Sequence, residues 1–326
     1  MKTDIRRTWP KMQGMPLAVF LFSASFCLIF SCSLAFARGA GTTAAAFLKI
    51  NPGARAAGMA DAFCAISDDV NAINFNPAGL VQVKQRQISL SHNEWIEGVR
   101  NESLGYCHPL GDAWSMGFMV HYVYVGDIVA RDILGVPTGD TFGSQNYEAA
   151  LSLARKVSDN LSVGVNAKHI YESIYTESDS AFAADAGVLC AIRHFRMGVS
   201  LQNIGSRIAL YEDAFELPRN LTAGVSYSVS RNSNISVDCS NLLEDEIDIK
   251  AGAEYRVIDM LALRGGFMFN RSENTGPGVT AGLGFFFKEL SLDYGFLPFG
   301  DLGTVHRISL AMKFGKKKNA EPDEEW

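Results

Sequence analysis

Alternation with a period of two, sustained in runs of about 9–12 residues, most restricts what this chain can become. Leu161, Val163, Val165, Ala167, His169 and Tyr171 share one parity, and Ser162, Gly164, Asn166 and Lys168 the other. Leu221 to Val229 repeats the pattern. So does Ile247 to Val257, against Asp248, Lys250, Gly252, Glu254 and Arg256. Leu261, Leu263, Phe267 and Phe269 alternate with Ala262, Arg264 and Gly266. Ile308, Leu310, Met312 and Phe314 alternate with Arg307, Ser309, Ala311 and Lys313. A tilted strand of this length crosses a bilayer. A soluble sheet turns its apolar face to a core and its polar face to water. A membrane barrel inverts this, with lipid outside and a wet lumen inside. Alternation alone fits both.

The connections separate them. Roughly fourteen candidate strands lie between Gln87 and Phe314. One set of connections is tight: Pro109 to Asp112, Lys156 to Asn160, Ser230 to Asn234, Ile258 to Met260, and Lys288-Glu289. The other reads as longer: Gly126 to Gln145, Ser173 to Ser180, Asn203 to Arg219, Asn270 to Gly278, and Leu297 to Val305. Short turns on one side and long loops on the other mark bacterial outer-membrane barrels, the tight set being periplasmic. Trp95, Tyr124 and Tyr171 end strands running to the long loops. Tyr106, Tyr227, Tyr255, Phe287 and Phe314 end strands running the other way. Two aromatic belts are expected at the two interfaces. Closure in lipid requires that no strand edge stay unpaired, which suits an even strand number.

The N-terminus predicts export, which together with the barrel pattern gives the outer membrane as the expected location. Lys2, Arg6, Arg7 and Lys11 precede an apolar run from Leu17 to Phe36 that ends in Ala35-Phe36-Ala37. The expected leader is 1–37, with the mature chain starting near Arg38. An uncleaved anchor, a lipidated Cys32 and a twin-arginine signal at Arg6-Arg7 are the other readings of the same stretch. A net charge of −6 argues against a nucleic-acid partner. The six cysteines show no metal-ligand spacing, and neither a metal nor a cofactor is indicated.

Residues 38–85 lack sustained alternation and are rich in Ala, Gly and Asn. Ser67 or Asp68 is placed to cap a helix running through Asn74, stopped by Pro77 and Gly79, with Asn76 driven extended by the proline. So short a segment cannot fold alone and needs a surface to pack on. The lumen of a wide barrel supplies one. The division is then 38–85 as an N-terminal hatch, 86–314 as the barrel and 315–326 as a charged tail.

"NPGARAAGMADAFCAISDDVNAINFNPAGL" resembles the N-terminal region of the FadL-like outer-membrane proteins. Asn51-Pro52-Gly53-Ala54-Arg55 and Gly58-Met59-Ala60-Asp61 are most similar to the PorV/PorQ-type branch, as is the closing "DYGFLPFGDLGTVHRISLAMKFG". The resemblance implies an all-β, fourteen-stranded transmembrane antiparallel barrel with a hatch. Its hatch motif would comprise Arg55, Asp61, Asp68, Asn74, Asn76, Pro77, Ala78, Gly79 and Leu80. It also implies lipid, barrel-assembly machinery and periplasmic chaperones as partners.

No catalytic constellation stands out: His121 and His169 have opposite parity, and the expectation is not an enzyme. Cys190 and Cys239 share parity with apolar neighbours; a Cys64–Cys107 bridge has no support. Lys168, Lys250, Glu254, Arg256, Arg264, Asp293, Arg307 and Lys313 all take the polar parity. They could pair with one another, hold the hatch, or guide an amphipathic anion such as a fatty-acid carboxylate. The Gly126–Gln145 stretch carries Ile128, Val129, Ile133, Leu134, Val136 and Phe142, as for capture of a hydrophobic ligand or contact with a partner. Two functions follow: passive uptake of a hydrophobic or amphipathic small molecule gated by the hatch, or a platform for protein secretion or surface attachment, with a secretion-system partner.

Overall fold

The structure is a computed structural model that describes residues 43–241, 243, 247–269 and 276–317. The expected leader with Cys32, most of the charged tail and most of the Asn270–Gly278 connection lie outside the described residues. The chain forms a closed antiparallel barrel of fourteen strands, each hydrogen-bonded to its sequence neighbours, with the first sealed against the last. In order these are β1 (Arg86–Glu94), β2 (Arg100–Leu110), β3 (Trp114–Arg131), β4 (Pro137–Ser158), β5 (Leu161–Ile174), β6 (Glu177–Ile192) and β7 (Phe195–Gly205). There follow β8 (Asn220–Ser230), β9 (Ser233–Ser240), β10 (Asp248–Ile258), β11 (Leu261–Met268), β12 (Val279–Phe287), β13 (Leu290–Pro298) and β14 (Thr304–Phe314). Closure pairs Leu90 with Leu310 and Ser91 with Ser309.

The two faces are sorted as a lipid solvent demands. Leu151 is 61 % exposed and Phe285 50 %, while Ser236 and Asp238 of the opposite parity are 2 % and 1 % exposed. Large apolar side chains point out along the middle of the wall, and most polar ones there point in. In water such an apolar girdle would be a continuous aggregation surface; in lipid it carries no penalty. No helix among the described residues is long and apolar enough to span a membrane.

Two expected long loops are strand instead. Gly126 to Gln145 is mostly the outer part of the β3–β4 hairpin, which stays paired out to Arg131–Pro137. Its turn is built by Asp132: Oδ1 accepts from Leu134 N and Val136 N at 2.9 Å each. Ser173 to Ser180 contains only a tight turn at Tyr175-Thr176, with Tyr175 at φ 56°. In both, polar and glycine residues interrupt alternation because the strands have left the membrane and need no apolar face. Trp95 also departs from its expected belt. β1 ends at Glu94, and the indole turns inward onto Phe299, with ring centroids 4.9 Å apart. Tyr122–Tyr124 and Tyr147–Tyr171 stack near one rim, and Tyr106–Phe314 stack at the other. Cys64, Cys190 and Cys239 are free thiols, so no Cys64–Cys107 bridge forms.

Ahead of β1 the chain is a string of short pieces. These are a 3₁₀ turn at Ala46–Lys49, α1 (Ala54–Ala57), α2 (Ala72–Phe75) and a 3₁₀ helix at Pro77–Gln82. The expected Ser67- or Asp68-capped helix is thus a single turn. Ser67 Oγ instead donates to Phe63 O, and Asp69 Oδ1 accepts from Asn71 N. Gly79 sits inside the 3₁₀ helix and stops nothing.

Candidate functional site: the filled lumen

The lumenal segment winds around the inside of the wall, and glycines of inward parity set its path. A Cβ at Gly295 would meet Ala54 O at 2.9 Å, at Gly252 Met59 O at 2.5 Å, at Gly198 Cys64 O at 2.6 Å, and at Gly164 Pro77 C at 2.4 Å. Backbone lies directly on backbone at these points. An irregular segment buried this way must find partners for its peptide groups elsewhere. Wall side chains supply them. Ala54 N donates to Ser309 Oγ at 2.8 Å and Ala60 N to Thr280 Oγ1 at 3.0 Å. Cys64 N donates to Asp238 Oδ2 at 2.8 Å, while Ser236 Oγ donates to Ala62 O at 2.6 Å. Asn166 Nδ2 donates to Ile73 O at 2.8 Å, and Gln202 Nε2 to Asn74 O at 2.7 Å.

Arg55, in α1, is the charge hub. Its Nη1 reaches Asp68 Oδ1 at 2.5 Å and Asp69 Oδ2 at 3.0 Å; Nη2 and Nε reach the two oxygens of Glu254 at 2.8 and 2.9 Å. Glu254 also accepts from Arg264 Nε at 2.6 Å, and Arg264 Nη1 lies 2.7 Å from Asp293. The guanidinium of Arg55 lies over the Phe63 ring at 5.2 Å. Burial pulls the Arg55 pKa down, but Asp68, Glu254 and Asp69 together outweigh it and hold it above the ordinary arginine value. The group is a permanent cation bridging the segment to β10.

Lys168 forms a second cluster, donating to Asn203 Oδ1 at 3.1 Å and pairing with Asp185 at 2.9 Å and Glu148 at 3.3 Å. Arg307 forms a third. It donates to Asn51 O at 2.7 Å, lies 3.7 Å from Asp61 and packs over Trp95 at 5.3 Å. Of the eight expected lumenal charges, Glu254, Arg264 and Asp293 thus meet around Arg55, while Lys168 and Arg307 stand apart. Lys250 lines a small void of about 20 Å³ with Asp61, Cys64, Asn74 and Asp238. Arg256 stacks on Phe286 at 4.3 Å, and Lys313 is exposed at the mouth of a polar cavity of about 150 Å³ beneath Arg55. Asp69, Glu148, Asp185, Asn166, Asn203 and Asp238 belong to the site and were not singled out from sequence. Inward parity was the available signal for Glu148, Asn166, Asp185 and Asp238; Asp69 is on no strand, and Asn203 sits at a bulge beside Gln202.

The Asn-Pro-Ala-Gly turn is fixed from three sides. Asn76 has φ −156° and ψ 102°, the extended state imposed before Pro77, and its Oδ1 accepts from Ala78 N at 3.2 Å. Its Nδ2 donates to Cys64 O at 3.2 Å and to Val188 O of β6 at 3.0 Å. A Cβ on Gly79 would stand 2.1 Å from Ser67 O, so only glycine fits. Leu80 and Ile73 close against Gly117 of β3.

Above and below this turn lie two different spaces. Near the long-loop rim, Val123, Ile170, Ala181, Ala183, Ile208 and Leu217 form an apolar bowl filled by Phe47, with Leu48 against it. The bowl's occupant is pinned by Ala45 N donating to Glu172 Oε2 at 2.8 Å and Ala44 N to Glu216 O at 3.0 Å. At the turn rim, a vestibule of about 630 Å³ opens beside Gln82, Lys84, Lys156, Asn160, Ser162 and Leu189. The inward residues of β5 connect the two: Ser162, Gly164, Asn166, Lys168, Ile170 and Glu172. Ser162 to Ile170 spans about 26 Å at ~3.3 Å per residue. Along it stand, in order, vestibule, Pro77-Ala78, the Ile73 carbonyl, the Lys168 cluster and the bowl.

A family model described as "Uncharacterised protein family (UPF0164)" matches residues 31–175. No curated protein matches the sequence. Among solved structures, a FadL homologue of Pseudomonas aeruginosa superposes with a TM-score of 0.61 at 12 % identity, covering 81 % of this chain and 98 % of that one. The toluene transporter TbuX of Ralstonia pickettii gives 0.59 at 14 % identity, with the same coverage of 81 % and 98 %. The monoaromatic hydrocarbon channel CymD gives 0.59 at 15 % identity, covering 82 % and 98 %. At these identities the likeness is one of fold, and the fold is that of FadL-like outer-membrane barrels.

Proposed function

We propose that this protein is an outer-membrane barrel for passive uptake of a hydrophobic or amphipathic small molecule, with the lumenal segment as its hatch. One observation carries the reading. An apolar bowl near one rim and an open vestibule at the other lie along β5, and the Asn76-Pro77-Ala78 turn and the Lys168 cluster stand in series between them. A ligand captured among the outer loops would take the place of Phe47 in the bowl. Its polar end would meet Lys168, and its exit would require the turn to leave Gly164 and Gly187. The barrel would sit in the outer membrane with its short turns in the periplasm. The hydrocarbon channels and the toluene transporter of the same fold are consistent with such cargo.

The test is uptake of a radiolabelled long-chain fatty acid, and separately of toluene, into proteoliposomes. Wild-type protein is compared with the double variant Asn76→Ala/Pro77→Ala. We expect accumulation above protein-free vesicles for at least one cargo and a changed rate in the variant. Uptake at the protein-free rate for both cargoes sinks the transport reading; an unchanged variant sinks the gate.

A second reading is a PorV-like assembly platform for secretion or surface attachment. It draws on the β3–β4 hairpin, whose tip holds Ile133 at 101 % and Leu134 at 83 % exposure. Co-purification of a secreted protein that is lost when residues 129–141 are deleted, with no cargo uptake, favours it.

A further inference from the structure

The two rims of the barrel carry opposite charge, and at the turn rim the cations face lipid beside aromatic rings. Arg155 of β4 lies 5.1 Å from the ring of Trp114, and both are on the outward face. Lys288, in the β12–β13 turn, lies 5.5 Å from Phe287, which is 60 % exposed. Arg86 is on the outward parity of β1 opposite Phe314, whose ring stacks on Tyr106 at 6.4 Å. Exposed Arg193 and Arg231 occupy two further turns. Among the described residues, the carboxylates at this rim are Asp112, Asp159, Asp259 and Glu289, and Lys156 pairs with Asp159 at 3.2 Å. The long-loop rim is the reverse. Its outward face presents Glu94 and Glu102, and Arg100 there is opposite Glu94 in register and stacked on Tyr124.

A cation held next to a ring at the end of a lipid-facing strand sits at headgroup depth. The ring anchors in the interface, and the charge meets whatever the headgroup offers. A zwitterionic leaflet offers these side chains phosphates that its own ammonium groups already offset. An anionic one gives each an uncompensated phosphate at the edge of the apolar band, continuous with the surface the acyl chains already cover.

We propose that the turn rim is a selective site for anionic phospholipid headgroups of the leaflet it faces, held at Arg86, Arg155 and Lys288. The acidic outward face of the other rim does not share this selectivity. The inference rests on the membrane reading and is independent of uptake.

The test uses the mature barrel in nanodiscs of phosphatidylcholine containing a minor fraction of phosphatidylglycerol. Lipids retained after release into the gas phase are counted by native mass spectrometry. We expect phosphatidylglycerol to be enriched over its bulk fraction in the wild type, with each of R86Q, R155Q and K288Q lowering retention at one site by about fivefold. The triple variant should approach bulk composition, while R100Q leaves the pattern unchanged. High salt should weaken the enrichment. Single variants keep the test decisive if the triple one does not fold. Wild-type protein at bulk lipid composition, or variants with undiminished enrichment, would overturn the proposal. So would an acidic periplasmic protein bound through these residues while lipid selectivity survives their loss.

Discussion

Replacing Arg55 by alanine tests whether the lumenal segment is held by charge or by fit. The guanidinium satisfies Asp68, Asp69 and Glu254 together. Glu254 would keep Arg264 at 2.6 Å, so the groups left without a cation are Asp68 and Asp69, the latter keeping only its bond from Asn71 N. Removing one member of a buried ionic cluster costs about 3–5 kcal/mol. The side chains here retain 12–27 % exposure, which favours the lower end. About 3 kcal/mol corresponds to roughly a hundredfold rise in the population of segments detached at α1. The barrel itself is sealed by strand pairing and should survive. The readouts are therefore hydrogen exchange at residues 54–58 and single-channel conductance of the full barrel in a planar bilayer. Both should rise, exchange by about two orders of magnitude, because sub-global opening is what each detects. Arg55→Ala combined with Asp68→Asn and Asp69→Asn should recover most of the loss, since no bare charge remains. A single variant with wild-type exchange and conductance would refute the reasoning. So would a triple variant that opens as far as the single one, which would show that the lost cation, and not the stranded carboxylates, matters.

The other sites give sharper local outcomes. Gly79→Ala places a methyl 2.1 Å from Ser67 O, and should cost about 3 kcal/mol of segment stability, read as lost exchange protection at Asn76–Gln82. Phe47→Ala should empty the apolar bowl at a cost of about 3 kcal/mol and raise binding of the fluorophore N-phenylnaphthylamine; unchanged fluorescence would mean the bowl is closed to ligands. Lys168→Met should destabilise by about 3–5 kcal/mol by stranding Glu148 and Asp185, lowering the temperature at which the barrel loses its fast gel mobility. Adding Glu148→Gln and Asp185→Asn should restore that temperature, and failure to do so would show that the cluster is valued for its geometry.

What could be read from the chain, and what could not, divides along one physical line. The wall was legible wherever one parity is large and apolar and the other polar, as in β5 and β14. A lipid-facing surface requires the first and a wet lumen permits the second. It blurred at β6, where Ala-Phe-Ala-Ala-Asp-Ala-Gly-Val runs through small residues on both faces, so Asp185 drew no notice although it anchors Lys168. It failed past the membrane, where β3 and β4 continue without alternation because neither of their faces meets lipid. The lumenal segment was harder still. Its conformation is dictated by the wall, and its one-turn helices have no periodicity to detect. Yet the wall does record it. Gly164, Gly187, Gly198, Gly252, Gly282 and Gly295 all fall on the polar parity, each where a Cβ would strike the segment or a side chain that holds it. A glycine at mid-strand weakens a sheet unless another backbone needs the space. In a barrel, glycines of lumenal parity therefore trace the course of whatever fills it. Here that course runs from Ala54 to Leu80: the Asn-Pro-Ala turn lies against Gly164 and Gly187, and Leu80 against Gly117 follows it before the chain climbs into the wall.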